Sequence, residues 1–340
     1  MKALSIHEPY SCGLVELPDT FPELGYAVLR PIMNGICGSD LNTYRGRNVY
    51  VTYPRTPGHE IAAEIVSIPE NTRGLTPGML VTCNPYFNCG DCYSCQRGLL
   101  NCCQNNETMG VQRDGAMKDK ISMPLQRIIS GECLDPRHLA LVEPFSIAWH
   151  GVKKSKIHSG NNVLVIGAGT IGIFAAISAK QFGARVFVSD ISEEKLDFVD
   201  ANFGIDGVLL NDSDAHFKEQ VRYHTNNQGF DVAIEAVGNP MTFKACIDAA
   251  AYCGTVIQIG ISDKNVNFNF TMIQKKELSI FGSRNALNED FEEVIKLFGQ
   301  RTALRLSSMI SAVFPFKKAS EAFAYLDANA LTTFKVMVEH

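Results

Sequence analysis

Residues 163–177 read VLVIGAGTIGIFAAI, and this stretch decides the fold of the second half of the chain. A short apolar run at 163–166 precedes a glycine-rich turn, and the turn opens an apolar segment with helical spacing. A second apolar run follows at 186–188. Strand, helix and strand in this order predict a βαβ unit. The alternation continues along the chain, so we expect an α/β domain with a doubly wound parallel sheet over residues 147–285.

The glycines of the turn, Gly167, Gly169 and Gly172, form a GxGxxG pattern between a strand and a helix. Their missing side chains allow a tight turn and let a pyrophosphate approach the helix N-terminus. Asp190 ends the next strand, about 20 residues further on, where an acid binds the adenosine ribose hydroxyls. Because a carboxylate there repels a 2'-phosphate, the pattern favours NAD over NADP. The alternative is structural: the glycines only end a strand, and Asp190 only caps the following helix.

Other positions are expected to belong to the same cofactor site. Lys195 follows Asp190 by five residues and is able to reach the same ribose. The remaining assignments flank the glycine turn, Asp190 and the ends of two later strands. They are Thr170, Ile171, Ile191, Ala236, Val237, Ile259 and Gly260.

Residues 1–146 follow a different pattern. They are rich in proline and glycine and carry short β-prone runs, for example at 26–29, 61–68 and 79–83. Short strands separated by turn residues are typical of a small antiparallel barrel. We therefore expect two domains of different architecture, which agrees with the length of 340 residues.

Four cysteines, Cys89, Cys92, Cys95 and Cys103, form a Cys-x2-Cys-x2-Cys-x7-Cys run within a lobe at residues 84–105. This spacing predicts a structural zinc site, in which four thiolates close the coordination sphere and the metal does no chemistry. An iron-sulfur cluster uses the same ligand type and is the main alternative. Disulfides are disfavoured, because the chain begins MKALSIHEPY without an apolar signal core and has eleven cysteines, an odd number.

A second set of metal-binding residues is spread over three segments. GICGSD contains Cys37 and Ser39, PGHE contains His59 and Glu60, and VEPF contains Glu143. A thiolate, an imidazole and carboxylates suit a zinc with an open position. Beside a nicotinamide, such a zinc suits the oxidation of an alcohol. The metal acidifies the hydroxyl, and the carbon that bears it then transfers hydride to the nicotinamide. Ser39, two residues from Cys37, is the expected first proton acceptor.

Composition excludes several classes of protein. Apolar residues make up 46% and charged residues 20% of the chain, as in ordinary globular proteins, and no apolar run approaches a membrane span. The net charge of -5 and the absence of a basic tract argue against nucleic acid and anionic membranes as partners. We expect a cytoplasmic protein that acts on a small hydroxylated molecule.

Together, GICGSD, PGHE, the four-cysteine lobe, VEPF and VLVIGAGTIG resemble the zinc-dependent medium-chain dehydrogenases, and the match spans nearly the whole chain. The resemblance implies a GroES-like catalytic domain and a Rossmann NAD-binding domain, with residues 286–340 returning to the catalytic side. It also implies two zinc ions per chain and a homodimer or homotetramer.

Glu143 stands where simple alcohol dehydrogenases have cysteine, which resembles the polyol, L-threonine and sugar-acid branch of the family. In that branch either Glu60 or Glu143 completes the zinc shell, and the sequence leaves both open. Relatives often carry a proton-relay histidine where this chain has Asn42. An amide does not titrate near neutrality, so we expect protons to leave through Ser39, a ribose hydroxyl and water. The candidate catalytic residues are thus Ser39, Asn42 and Glu60.

The segment GSRNA at 282–286 falls where the sheet ends, and Arg284 offers a planar donor fork suited to a carboxylate. This segment is similar to sugar-acid dehydrogenases that oxidise the C5 hydroxyl of hexonates such as L-gulonate, L-idonate or L-galactonate. Asn285, Tyr44 and Arg113 are further substrate candidates. We rank a hexonate first, a neutral polyol second and L-threonine third.

Two other function classes compete with an enzyme. A relative that kept the fold but lost turnover is disfavoured by the retained Cys37, His59, Glu60 and Glu143, whereas Asn42 is a weak argument in its favour. A zinc-ribbon protein that binds nucleic acid would need a basic surface, which the composition does not supply.

Overall fold

The computed structural model describes residues 1–131, 134–300 and 304–340. The described chain divides into two units. Unit one comprises Met1–Glu143 and Ala286–His340, and unit two comprises Pro144–Asn285.

The strands alternate with helices in unit two and are mostly consecutive in unit one. In chain order they are β1 Lys2–Glu8, β2 Ser11–Glu16, β3 Tyr26–Ile36, β4 Glu60–Ser67, β5 Leu80–Cys83, β6 Tyr86–Phe87, β7 Glu107–Thr108, β8 Ile121–Pro124, β9 Ile128–Ser130, β10 Asn162–Ile166, β11 Arg185–Asp190, β12 Gly207–Leu210, β13 Phe230–Glu235, β14 Ala250–Gln258, β15 Ser279–Gly282, β16 Ile310–Pro315 and β17 Lys335–Glu339.

The helices are short to medium in length. In chain order they are α1 Gly38–Tyr44, α2 Tyr93–Gln96, α3 Pro136–Ala140, α4 Val142–Lys154, α5 Thr170–Gln181, α6 Glu193–Phe203, α7 Asp214–Thr225, α8 Pro240–Ala249, α9 Thr271–Lys275, α10 Asn288–Gln300 and α11 Ala319–Ala328. Within the described ranges, none of these helices combines the length and apolar character that crossing a membrane requires.

Unit two contains a six-stranded sheet in the order β12-β11-β10-β13-β14-β15, and every neighbouring pair is parallel. The predicted parallel sheet is therefore present. Strand β10 is buried from Val163 to Ile166, as expected when helices cover both faces of a sheet. The order reverses at β10, since β11 lies on one side and β13 on the other. Sheets of this kind bind dinucleotides at the carboxyl edge of that reversal.

On the far side of this sheet, helix α8 ends at Ala249 and β14 begins directly after it. A buried lysine from a later segment, Lys276, caps the C-terminal end of α8 by donating to carbonyls that have no partner within the helix. Its ammonium donates to the carbonyls of Ile247, Asp248 and Ala250 at 3.0, 2.8 and 2.7 Å. Strand β15 was not predicted, because it is four residues long and mostly exposed.

Unit one is organised around β3, which is eleven residues long. Its main sheet has the order β16-β17-β3-β4-β5-β9, and β8 also pairs with β3. The last strand, β17, is antiparallel to β3 and sets Met337 opposite Gly35. This pairing brings the C-terminal segment into the same sheet as the first 130 residues. Among the described residues of this unit, one apolar cluster lies around Ile61 and Ile65, and another lies around Phe323 of α11.

Candidate functional site

The four predicted lobe cysteines come together. The sulfur atoms of Cys89, Cys92, Cys95 and Cys103 all lie within 4.8 Å of one another. Cys103 Sγ is 3.5 Å from Cys89 Sγ and 4.0 Å from Cys92 Sγ. Four sulfurs at about 2.3 Å from a zinc ion stand about 3.8 Å apart at tetrahedral corners, so the spacing fits one ion. A cluster of several irons would need a larger cradle.

The lobe thiols differ in acidity, and burial raises the pKa of Cys95 to about 12. Backbone N–H groups of Gln104 and Cys95 lower the pKa of Cys92 to about 6, which favours the form that binds metal. Cys89, Cys92, Cys95 and Cys103 are free cysteines in the structure. Cys102, beside Cys103, is not part of the sulfur group.

A second group of ligand atoms is contributed by Cys37, His59 and Glu60, which also lie within 4.8 Å of one another. Cys37 immediately precedes α1, and His59 and Glu60 stand at the start of β4. Gly58 turns the chain into β4 with a φ of +105°, in the region that favours glycine. On the neighbouring strand, Gly35 faces Glu60, and a Cβ added at Gly35 would lie 2.0 Å from Glu60 Oε2. The absent side chain therefore makes room for the carboxylate.

A buried acid, Asp40, lies beside the histidine of this group. Its Oδ1 is 3.7 Å from His59 Nδ1, and its carboxylate accepts from the backbone N–H groups of Cys37 at 3.0 Å and Gly58 at 3.3 Å. Burial lowers the pKa of His59, but the negative charges of Asp40 and Cys37 raise it by more. The pKa therefore stands well above its ordinary value. At 3.7 Å the contact is an ion pair rather than a hydrogen bond, and it leaves the other ring nitrogen of His59 to face a metal. Asp40 stands within GICGSD, where no local pattern predicts its contact with His59.

The two carboxylates that were left as alternatives have different partners. Glu60 is fully buried, and both its oxygens lie 2.6 Å from the ammonium of Lys335. Glu143, in the first turn of α4, accepts a hydrogen bond from the phenol of Tyr86. Burial raises the pKa of Glu143 to about 7. Lys335 and Tyr86 were both missed by the sequence analysis, because neither lies in a recognisable motif.

The proposed proton-transfer residues lie on α1. Ser39 is half-buried, and its carbonyl accepts from the hydroxyl of Thr43 at 3.0 Å. Asn42 is exposed. Their roles remain predictions, since these contacts involve the backbone of Ser39 and not its hydroxyl.

Two of the substrate candidates have packing contacts in the structure, and their roles in substrate binding stay predictions. Tyr44 is a core residue, only 8% exposed, whose ring packs 5.7 Å from that of Phe323. Arg113 is already engaged: its guanidinium lies 3.8 Å from the ring centre of Phe87 and 3.4 Å from Glu107. Both side chains thus pack against aromatic rings.

Arg284 and Asn285 stay candidates for substrate binding. They follow β15 at the end of unit two, and Arg284 is exposed. Asn285 adopts a left-handed backbone conformation with a φ of +53°, which asparagine tolerates better than most residues.

In unit two, the glycine turn has the predicted geometry at the end of β10. Gly167 has a φ of +112°, and a Cβ added at Gly172 would lie 1.8 Å from the carbonyl oxygen of Gly167. Gly169 precedes α5, and nothing lies within 4 Å of a Cβ built there. The turn is therefore tight at two glycines and open at the third, as close approach of a phosphate requires.

Asp190 ends β11 and contacts the same turn. Its Oδ2 accepts from the N–H of Ala168 at 2.7 Å, and its Oδ1 accepts from the N–H of Ser192 at 3.0 Å. The helix cap at Glu193 is Ser192, whose hydroxyl accepts from the N–H of Lys195, so Asp190 is not the cap. Each carboxylate oxygen retains acceptor capacity for a ribose hydroxyl.

The remaining cofactor assignments surround this edge of the sheet. Thr170 and Ile171 begin α5. Ile191 and Val237 are 77% and 49% exposed, which leaves two apolar side chains on the edge for a flat ring. A Cβ added at Gly167 would lie 2.7 Å from Val237, so the loops after β10 and β13 are in close contact. The loops after β13 and β14 carry Ala236, Ile259 and Gly260.

Comparison with known proteins gives consistent matches over most of the chain. Residues 24–132 match the family model described as an alcohol dehydrogenase GroES-like domain, and residues 170–300 match the model described as a zinc-binding dehydrogenase. The expected GroES-like and Rossmann domains are thereby confirmed.

Three curated relatives are informative. The chain is 34% identical to L-galactonate-5-dehydrogenase of Escherichia coli K12, over 85% of this chain and 84% of that protein. It is 31% identical to 2-dehydro-3-deoxy-L-galactonate 5-dehydrogenase of Pseudoalteromonas atlantica, over 94% and 93%. It is also 31% identical to sorbitol dehydrogenase of Halalkalibacterium halodurans, over 88% and 89%.

Two solved structures share the fold and contain a nicotinamide cofactor. An alcohol dehydrogenase from Escherichia coli CFT073, complexed with NADH, aligns over 100% of this chain and 99% of its own at a TM-score of 0.91 and 26% identity. A zinc-binding dehydrogenase from Sinorhizobium meliloti, bound to NADP, aligns over the same shares at 0.90 and 26%. Cofactors of both kinds thus occur among similar structures.

Proposed function

Because this chain belongs to the zinc-dependent medium-chain dehydrogenase family, we propose that it oxidises a secondary alcohol of a sugar acid with NAD+ as the hydride acceptor. The protein is an oxidoreductase of the zinc alcohol dehydrogenase type. The observation that carries this proposal is that Cys37, His59 and Glu60 converge in one group, and that Glu143 is bonded to Tyr86. Such a donor set suits a zinc with an open position.

The residues of this chain fit a catalytic zinc. The thiolate of Cys37, the imidazole of His59 and one carboxylate would hold the ion, with Asp40 beside the ring of His59. When bound, zinc supplies acidification of the substrate hydroxyl, and the nicotinamide supplies the hydride acceptor. The four lobe cysteines would hold a second, structural zinc. We therefore propose two zinc ions per chain.

We propose that Ser39 accepts the proton released from the substrate hydroxyl. It lies two residues after Cys37 and is half-buried, whereas Asn42, one helical turn further on, is exposed and does not titrate. Replacing Ser39 with alanine should lower kcat and leave zinc content unchanged. If activity after that replacement still followed a pKa near that of histidine, about 6.5, another proton acceptor would be present.

The preference for NAD rests on Asp190. Its charge sits at the end of β11, where a 2'-phosphate would have to approach. The proposed cofactor is therefore NAD+ rather than NADP+, and the two are distinguished by comparing kcat/KM.

The sugar-acid substrate is supported by two relatives, named as dehydrogenases of L-galactonate and of a deoxy-L-galactonate derivative. Arg284, exposed after β15, is the candidate group for the carboxylate. A neutral polyol is the second candidate, because a sorbitol dehydrogenase is also similar. L-threonine is the third.

The test is NADH formation, followed by absorbance, on a panel of L-gulonate, L-idonate, L-galactonate, sorbitol, L-threonine and simple alcohols. Chelator-treated protein serves as the control. We expect the highest kcat/KM on a hexonate, and replacement of Arg284 with glutamine should raise KM for the hexonate but not for sorbitol. Turnover confined to neutral substrates would contradict the sugar-acid proposal. Light scattering tests the proposed homodimer or homotetramer.

A further inference from the structure

A buried acid outside the predicted sites, Glu235, occupies the last position of β13 and is fully buried. Its side chain accepts hydrogen bonds from the backbone N–H groups of Val237 at 3.1 Å and Gly238 at 2.9 Å. Two side chains also donate to it. They are the hydroxyl of Thr242 at 2.6 Å and the amide of Gln258 at 2.7 Å. Within the described ranges, no cationic side chain forms an ion pair with this carboxylate.

The same residue also holds the next loop. Its backbone carbonyl accepts from the N–H groups of Ile259 at 2.9 Å and Gly260 at 3.1 Å. A Cβ added at Gly260 would lie 2.1 Å from the nitrogen of Gly238 and 2.4 Å from Glu235 Oε2. The loops after β13 and β14 therefore pack directly on this carboxylate, and Gly260 allows their close approach.

The strand order assigns these loops to one half of the dinucleotide. Asp190 ends β11, on one side of β10, and in the proposed function it binds the adenosine ribose. Strands β13 and β14 lie on the other side of β10. A dinucleotide bound across the reversal has its second half over the ends of these strands. That half carries the nicotinamide.

We propose that Glu235 is a positioning residue that fixes residues 236–238 and 259–260 for the nicotinamide half of the cofactor. This inference rests on the proposed function. A buried carboxylate is suited to the task, because two oxygens accept bonds from several donors at once, and each bond to a charged acceptor is stronger than a neutral one. An apolar residue would leave the N–H groups of both Val237 and Gly238 without an acceptor.

The variant Glu235→Gln keeps the size of the side chain and turns one oxygen into an NH2 group. Whichever way the amide is oriented, its NH2 group faces N–H or O–H donors where an acceptor is needed. In the Glu235→Gln protein, replacing Gln258 with glutamate places a carboxylate acceptor opposite the new NH2 donor. That rescue is incomplete, because Gln258 also donates to the carbonyl of Gly260 at 2.7 Å.

Asp231 provides a matched control on the same strand. Its carboxylate accepts from the backbone N–H of Asn162 at 2.7 Å, and it lies at the opposite end of β13. Asp231→Asn therefore removes a charge and weakens a comparable bond without touching the cofactor edge.

The experiment measures the affinities of full-length wild type and each variant for NADH and for ADP, together with thermal stability. For Glu235→Gln we expect at least a tenfold loss in NADH affinity, a change below twofold for ADP, and partial recovery in Glu235→Gln/Gln258→Glu. Asp231→Asn should keep both affinities.

Unchanged NADH affinity in Glu235→Gln would overturn the inference. So would an equal loss of NADH and ADP affinity together with lower stability, because that result indicates a purely structural role. A wild type that binds neither ligand would instead refute the proposed function itself, so the two failures are distinguishable.

Discussion

Lys335 on β17 holds both carboxylate oxygens of Glu60 on β4, each at 2.6 Å. The two residues are 275 positions apart in sequence, and their strands lie on either side of β3. Both side chains are buried, at 3% and 0% exposure. The charge of Glu60 is therefore balanced within the protein, whereas Glu143 is bonded to a neutral phenol.

Replacing Lys335 with methionine should destabilise the zinc-free protein by about 3–5 kcal/mol, because the carboxylate of Glu60 would stay buried without its partner. Urea unfolding in the presence of a chelator measures this loss. Lys335→Arg is the control that keeps the charge. The double variant Lys335→Met/Glu60→Gln should recover most of the stability, and failure to recover would show that Lys335 acts mainly through packing.

The balance of charges also predicts which carboxylate completes the zinc shell. A metal at Glu60 would have to share oxygens already bonded to the ammonium of Lys335, whereas Glu143 is bonded to the neutral phenol of Tyr86. We therefore expect Glu143→Gln to lose the catalytic zinc during dialysis against a chelator, and Glu60→Gln to retain more of it. The lobe zinc serves as the internal reference in metal analysis. The reverse order of loss would assign Glu60 as the ligand.

Tyr86 should tune that ligand. Its phenol donates to Glu143, and outer partners of metal ligands typically contribute 10–100-fold in metal affinity. Tyr86→Phe should therefore weaken zinc binding by roughly tenfold or more, measured by competition with a chromophoric chelator. Tyr53→Phe is the matched control, because the phenol of Tyr53 donates to a backbone carbonyl, that of Thr43. Equal effects of the two variants would mean that Tyr86 has no specific role.

How much of the site the sequence could predict depends on the distance between its parts along the chain. The lobe cysteines and the glycine turn lie within short segments, so spacing alone predicts their geometry. Lys335 reaches Glu60 only through the pairing of β17 with β3 and of β3 with β4, and no local pattern encodes that register. Glu235 is similar, because its donors come from loops after two different strands. The burial of Tyr44 against α11 is likewise a property of the packed unit, which no local pattern encodes.

The lobe offers a prediction with a built-in control. Cys95→Ser should lower the zinc content from about two ions per chain to about one, because a structural site needs all four thiolates. It should also lower Tm, since binding energy at such a site is folding energy. Cys102→Ser, beside ligand Cys103, should leave both quantities unchanged. Loss of metal in Cys102→Ser would mean that the wrong member of the Cys102–Cys103 pair was assigned.

Asp190, the residue proposed to select the cofactor, also holds the glycine turn, since its two oxygens accept from the N–H groups of Ala168 and Ser192. Alanine would remove the charge and both bonds, whereas Asp190→Asn removes the charge and keeps one acceptor. We expect Asp190→Asn to shift the ratio of kcat/KM for NAD+ to that for NADP+ towards NADP+ by about tenfold, equivalent to about 1.4 kcal/mol. The shift arises because the repulsion of the 2'-phosphate is relieved. Asp190→Ala should lose affinity for both cofactors, because the turn loses its anchors. An unchanged ratio in Asp190→Asn would show that another group selects the cofactor.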